Sequence, residues 1–245
     1  MKKIHRMLLI FTLLSVLLVS GCGKKPTETS EPVNPLANMA TTSWIDEPIK
    51  STQAGLTVEL LHVAQRGNDL VLRVKFPNPD WRNWYISKVK LSVAGGADYT
   101  DAKTEFFERL YQKDSNTYCL YQPSYNEQEK CIDTEKMDAY QIDDIIFTDL
   151  PGDLTGKKMT FEILELAVAA PYCEDLRIPY IEDALSKDFP GLTLECASGK
   201  RAAVNKISEA SGYADNAEAQ AAVQAMVQEA MSGSVSGPWT FEIMK

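Results

Sequence analysis

Histidine is nearly absent. The 245 residues contain two, His5 and His62, and no G-x-S-x-G, H-E-x-x-H or C-x-x-C string is present. The common nucleophile signatures and the usual zinc spacings are therefore missing. His62 falls within an apolar strand pattern, where a packed or rim imidazole is expected. No D-x-[DN]-x-[DN]-G loop occurs, which removes the helix-loop-helix type of calcium site. Basic charge is also short: 25 Lys and Arg stand against 34 Asp and Glu, a net of −9. Without a basic stripe there is nothing to neutralise a phosphate backbone, which excludes nucleic acid as a partner. Nor does any apolar run reach the roughly 20 residues that a spanning helix needs.

What is present at the start is an export signal. Lys2, Lys3 and Arg6 precede an uncharged apolar run from Met7 to Val19, and this positive start with a short apolar core is the pattern of a secretory signal peptide. The run ends in Val19, Ser20, Gly21 and Cys22. This four-residue string resembles the bacterial lipobox. The resemblance implies that the Cys22 thiol receives a diacylglycerol, that residues 1–21 are removed, and that Cys22 becomes an acylated first residue. Each buried methylene contributes about 0.8 kcal/mol, so two or three acyl chains hold a protein that one chain would release. The expected location is the extracytoplasmic face of the cell membrane, with outward sorting if the host has an outer membrane. Losing residues 1–21 removes three basic residues and no acidic one, leaving 22 against 34 and a net of −12. Such a body repels anionic headgroups, Lys24 and Lys25 being a local exception, so the acyl chains supply the membrane contact.

Four further cysteines, Cys119, Cys131, Cys173 and Cys196, suit an oxidising compartment. Three pairings can be written. Joining nearest neighbours, Cys119 to Cys131 and Cys173 to Cys196, closes short loops that contribute about 3 kcal/mol each in the chain-entropy account. A structural zinc is the competing use, but it lacks paired cysteines and histidines.

Residues 22–51 are rich in Pro, Thr, Ser and Glu and read as a flexible tether, with Trp44 and Ile45 docking as a first edge strand. Residues 52–245 are long enough for one domain with a substantial core. GLTVELLHVAQ and DLVLRVKF alternate apolar with polar residues around an RGND turn, which predicts an antiparallel hairpin. The adjacent Leu60 and Leu61 break the alternation and predict a bulge. Further strands are expected at Trp84–Val93, Phe106–Tyr111, Tyr118–Gln122, Gln141–Leu150, Lys157–Val168 and the terminal GPWTFEIMK. Between about 172 and 237 the strand pattern fades, apart from LTLEC. A short helix is predicted at Ile178–Lys187, with Pro179 in its first turn. A longer one is predicted at NAEAQAAVQAMVQEAM, where Asp215 and Glu218 have capping-box spacing. Its Ala219, Val223, Met226, Val227 and Ala230 share a face that should pack against the sheet. The expected fold is mainly β: an immunoglobulin-like antiparallel sandwich with a helical, disulfide-pinned insertion before the last strand.

The chain resembles a group of bacterial, chiefly Gram-positive, lipoproteins with an immunoglobulin-like domain of unassigned function. The resemblance rests on the lipobox and on the stretches GLTVELLHVAQRGNDLVLRVKF, FTDLPGDLTGKKMTFEI and GPWTFEI. It implies a fold and an anchor, not an activity.

Two groups of residues are candidates for function. Aromatics collect in PDWRNWY, with Trp81, Trp84 and Tyr85, and around the Cys119 to Cys131 loop, with Tyr118, Tyr121 and Tyr125. Tyrosine and tryptophan on rigid loops give large contact area at low entropic cost, so these six are the expected partner-binding residues. Acidic groups collect at Asp143, Asp144, Asp149 and Asp153 and at Glu105 and Glu108, where solvated loop and strand-edge charges are expected. Paired carboxylates could alternatively cleave glycosides. The sequence thus points to a non-enzymatic module that needs no cofactor or metal. Its partner would be a protein, a cell-wall polymer or a glycan. The alternatives are an envelope hydrolase using the acidic cluster and an accessory scaffold subunit that docks through its helical insertion.

Overall fold

The computed structural model describes residues 42–123, 129–134, 136–150, 153–196 and 206–245. Strands β1 (Ile49–Gln53), β2 (Leu56–Arg66), β3 (Asp69–Pro77), β9 (Tyr140–Phe147), β6 (Lys103–Asp114), β7 (Thr117–Tyr121) and β8 (Lys130–Asp133) form one sheet in that order. A second sheet runs β13 (Ser234–Met244), β10 (Lys158–Val168), β4 (Trp84–Val93) and β5 (Asp98–Tyr99). Every neighbouring pair is antiparallel. The series β2-β3-β9-β6 facing β13-β10-β4-β5 reproduces the A-B-E-D over G-F-C-C′ order of the immunoglobulin sandwich. To this frame the chain adds β1 at one edge, the β7–β8 ribbon at the other, and an insertion between β10 and β13. The mainly β, antiparallel sandwich with its helical insertion is the architecture expected from the strand pattern.

Alternation explains which side chains fill the sandwich. Leu70, Leu72, Val74 and Phe76 of β3 point inward with Ile145 and Phe147 of β9. The predicted bulge sits between Leu60 and His62, where the β2–β3 register shifts. It moves the inward face of β2 from Val58 and Leu60 to Val63. A similar shift after Ile163 moves the inward face of β10 from Met159, Phe161 and Ile163 to Leu166 and Val168. Phe161 lies centrally, edge-on to Phe147 at 6.1 Å and stacked with Phe241 at 5.8 Å. Trp239 of β13 is fully buried, and its indole N–H donates to the Leu56 carbonyl at 2.9 Å. That bond ties the last strand of one sheet to the first hairpin of the other. Gly237 just before it has no room for a side chain, since a Cβ there would lie 2.2 Å from the Ile163 carbonyl oxygen.

The boundary of the tether needs correcting. Trp44 and Ile45 do pack against the core, and the Trp44 N–H donates to the Val63 carbonyl at 2.8 Å. The edge strand itself, however, is β1 at Ile49–Gln53, paired with β2, and its first three residues fall in the span expected to be flexible.

The insertion runs from 169 to 233 and contains α1 (Ile178–Leu185), the two-residue strands β11 (Leu194–Glu195) and β12 (Lys206–Ile207), and α2 (Ala217–Ala230). Asn216, not Asp215, caps α2: its Oδ1 accepts from the N–H groups of Glu218 and Ala219 at 2.9 and 3.0 Å. The cap thus sits one residue later than the capping-box spacing suggested. Ala219, Val223, Val227 and Ala230 are buried as expected, with Met226 packed partly against them. They do not pack on the sandwich core. Their partners are Leu176, Ile181, Leu185, Leu192, Leu194 and Ile207, a second core that the insertion builds largely for itself. The disulfides join Cys119 to Cys131, across β7 and β8, and Cys173 to Cys196, within the insertion, as nearest-neighbour pairing predicted.

Candidate functional site

The inward face of the large sheet changes character near the start of β9. Asp143 lies two residues before the core residue Ile145, and Gln141 two before that, so all three share one face. Register places Phe106 of β6 opposite Asp143 and Arg109 opposite Gln141, and β7 places Tyr121 opposite Arg109 and Cys119 opposite Tyr111. One guanidinium, Arg109, three carboxamide or carboxylate oxygens of Gln141 and Asp143, and two tyrosines, Tyr111 and Tyr121, therefore occupy ground that alternation reserves for apolar side chains. The insertion covers this ground. Its helix α1 packs against β6, and Asp183 of α1 accepts from the Ser115 N–H at 3.1 Å.

Arg177 comes from that cover. It links a one-turn 3-10 helix at Cys173–Leu176 to α1 and has a left-handed backbone, φ 56°, a conformation that costs a non-glycine residue about 1–2 kcal/mol. The Cys173–Cys196 bridge fixes the start of the turn that presents it. Its guanidinium carbon lies over the Tyr111 ring, 4.0 Å from the centroid. Burial first, and the like charge of Arg109 second, disfavour its cation. Its Nε and Nη2 are shielded from solvent and have no hydrogen-bond partner.

The neighbouring acids are already engaged. Arg109 Nε donates to Gln141 Oε1 at 2.7 Å, and Gln141 Nε2 donates to both Asp143 oxygens at 2.9 Å, so an amide stands between the charges. Glu129 accepts from the Tyr111 hydroxyl and from Lys113 Nζ. Asp175 accepts from the Tyr172 N–H at 3.3 Å. Among the described residues neither Arg109 nor Arg177 makes an ion pair. Both remain partly open at the surface, as does Tyr111.

Asp143 is nearly solvent-free, and burial pushes its carboxyl up to about 6, against 3.8 ordinarily. A folded-state value above the unfolded one favours the fold in acid, and that contribution disappears as the pH rises through about 6. Asp143→Asn, neutral at every pH, is therefore expected to exceed the wild type in stability by about 1–3 kcal/mol above pH 7. The gap should close toward pH 4. Urea unfolding at pH 4, 6 and 8 checks this, and an equal difference at all three values would contradict it.

The acidic cluster is not the solvated set expected. Asp149 and Asp153 are exposed, and so is Glu105 beside Lys103. Glu108, however, accepts from Tyr140 and Gln122, Asp143 is buried on the inward face, and Asp144 is paired on the outward face. Adjacent residues of one strand point to opposite sides, so Asp143 and Asp144 cannot flank a scissile bond together. His62 is half-buried in β2, as expected, with its pKa lowered by burial and by Arg73. Among the described residues, one group has metal-ligand reach, Cys119, Glu129 and Cys131. Its two sulfurs are bonded to each other.

The aromatic rim is also redistributed. Trp81 is buried and stacks on Tyr180 of α1 at 4.6 Å, joining the insertion core. Trp84 is buried in the sandwich, and its N–H donates to Asp80 at 3.0 Å. Asp80 also accepts from the Arg82 backbone and guanidinium, while Arg82 reaches the Ser232 carbonyl. PDWRNWY is thus a packed joint between frame and insertion. Tyr118 is buried as well, so three of the six expected binding residues have little surface to offer. Tyr121 is half-buried against Phe106, with ring centroids 5.7 Å apart. Tyr85 is 39% exposed. Tyr125 and Cys22 lie outside the described residues. The apolar face of α2, through which the alternative scaffold subunit would dock, is closed by the insertion's own core.

Sequence reading missed Arg109, Gln141 and Arg177. The available signal was polarity out of phase: in FFERLY and YQIDDIIF, charged and amide residues stand at positions that alternation turns inward. No family model, no curated protein and no solved structure matches the chain.

Proposed function

We propose that the protein is an exported, lipid-anchored binding module without catalytic activity, held on the outer side of the membrane by acyl chains on Cys22 and recognising a partner through the flank where the insertion meets β6 and β7. The observation that carries this reading is the placement of the two disulfides. Each cross-links an addition to the frame, Cys119–Cys131 in the β7–β8 ribbon and Cys173–Cys196 in the insertion. Bonds of this kind persist in oxidising compartments and are reduced in the cytosol. They also pre-organise the segments beside Arg109 and Arg177, which reduces the ordering cost of binding. The signal run and the lipobox at Val19 to Cys22 supply the route and the anchor.

The module would recognise a protein, a cell-wall polymer or a glycan, with the segment between Cys22 and Trp44 as its tether. Replacing Cys22 with alanine is expected to abolish incorporation of a palmitate analogue and to move the protein from the membrane fraction to the soluble one. A Cys22→Ala chain that still takes up the label in the membrane fraction would refute the anchor.

A further inference from the structure

We propose that Arg109 and Arg177 form the seat for an oxyanion, the carboxylate or phosphate group of an external ligand. This rests on the reading of the protein as a binding module and names the chemistry that the module recognises.

Four observations meet at this place. The first is the missing partner. Arg177 Nε and Nη2 are withdrawn from water without a hydrogen bond, although donors on a guanidinium are rarely left so because desolvating them without compensation is costly. The second is the neighbouring ring. Arg177 Cζ lies over the Tyr111 ring, 4.0 Å from its centroid, a cation–π contact that occupies none of the guanidinium's hydrogen-bond donors. The third is the like charge: Arg109 lies within electrostatic reach of Arg177 and raises the cost of its cation. A chain with 34 acidic residues against 25 basic ones had acids to spare for neutralising this pair. Instead an amide, Gln141, separates Arg109 from Asp143, and Glu129 is turned to Lys113 and the Tyr111 hydroxyl. The fourth is position. Arg109, Tyr111 and Arg177 all keep part of their surface open, so the pair lies beside solvent although Arg177 Nε and Nη2 are themselves dry. An anion held there would satisfy the orphaned donors and offset the repulsion between the two cations at once.

The test uses the full chain in a non-ionic detergent at constant ionic strength. Inorganic phosphate and succinate are titrated separately, with calorimetry for binding and thermal unfolding for stability. One of the two is expected to bind at a single site and to raise the melting temperature saturably, and which one does so distinguishes a phosphate from a carboxylate ligand. Arg177→Met should abolish that increment and, without anion, melt above the wild type because an uncompensated cation has been removed. Arg177→Lys keeps the charge without the fork and should bind at least tenfold more weakly. Arg109→Met should likewise lose the increment. Absence of saturable binding by either anion would overturn the proposal. So would binding that survives both Arg177→Met and Arg109→Met, since it would then lie elsewhere. Neither result bears on Cys22, whose acylation is read independently.

Discussion

Replacing Asp144 with alanine is expected to lower the unfolding free energy by about 3–5 kcal/mol, the usual loss when one partner of a buried ion pair is removed. Arg73 is 5% exposed although it points away from the sandwich core. Its Nε and Nη2 donate to the two Asp144 oxygens, each at 2.7 Å, across directly paired positions of β3 and β9. The Phe107 ring covers the guanidinium at 3.7 Å, and His62 stands opposite Arg73 on β2. Truncating the carboxylate leaves a desolvated cation between two strands in the middle of the sheet, with an aromatic face as its remaining partner. The double replacement Arg73→Met with Asp144→Leu removes both charges and should recover most of the loss. Urea unfolding of the three proteins at one pH checks the pair. A loss below about 1 kcal/mol for Asp144→Ala would mean that water reaches the site and the pair behaves as a surface one.

Trp239→Ala is expected to cost about 3–5 kcal/mol as well, for a different reason. The indole is fully buried among residues of both sheets, so truncation leaves a cavity that a sheet frame cannot collapse. It also deprives the Leu56 carbonyl of its indole donor. Trp239→Phe keeps most of the volume and should lose roughly half as much. A full-sized loss for the phenylalanine variant would place the larger share in the hydrogen bond. Denaturant midpoints at constant slope separate these outcomes.

Much of the frame was legible because alternation is a direct consequence of strand geometry. The hairpin of β2 and β3, the bulge after Leu60 and the span of β4 follow from which residues repeat at a period of two. Both helices showed through their own spacing, and the disulfides through loop length. Three things were hidden. The helix face of Val223 and Val227 announced that it was buried but not against what, since periodicity carries no information about a distant partner. Trp81 and Trp84 looked like recognition residues because an aromatic cluster reads the same whether it closes a core or faces solvent; Asp80, which accepts from the Trp84 indole and from Arg82, gave no sign of that role. Arg109, Tyr111, Gln141 and Arg177 come from β6, β9 and the insertion, separated by dozens of residues, and such a meeting is set by topology alone.

The insertion leaves and rejoins the frame at a single point, where the Val168 N–H donates to the Gly233 carbonyl at 2.9 Å. An excursion whose two ends already touch adds little strain to the strands that carry it. The immunoglobulin frame can therefore be regarded as a socket, with everything from 169 to 233 an exchangeable fitting. Swapping that fitting for a short turn, or for the corresponding segment of another protein, would leave the strand pairings of the socket in place.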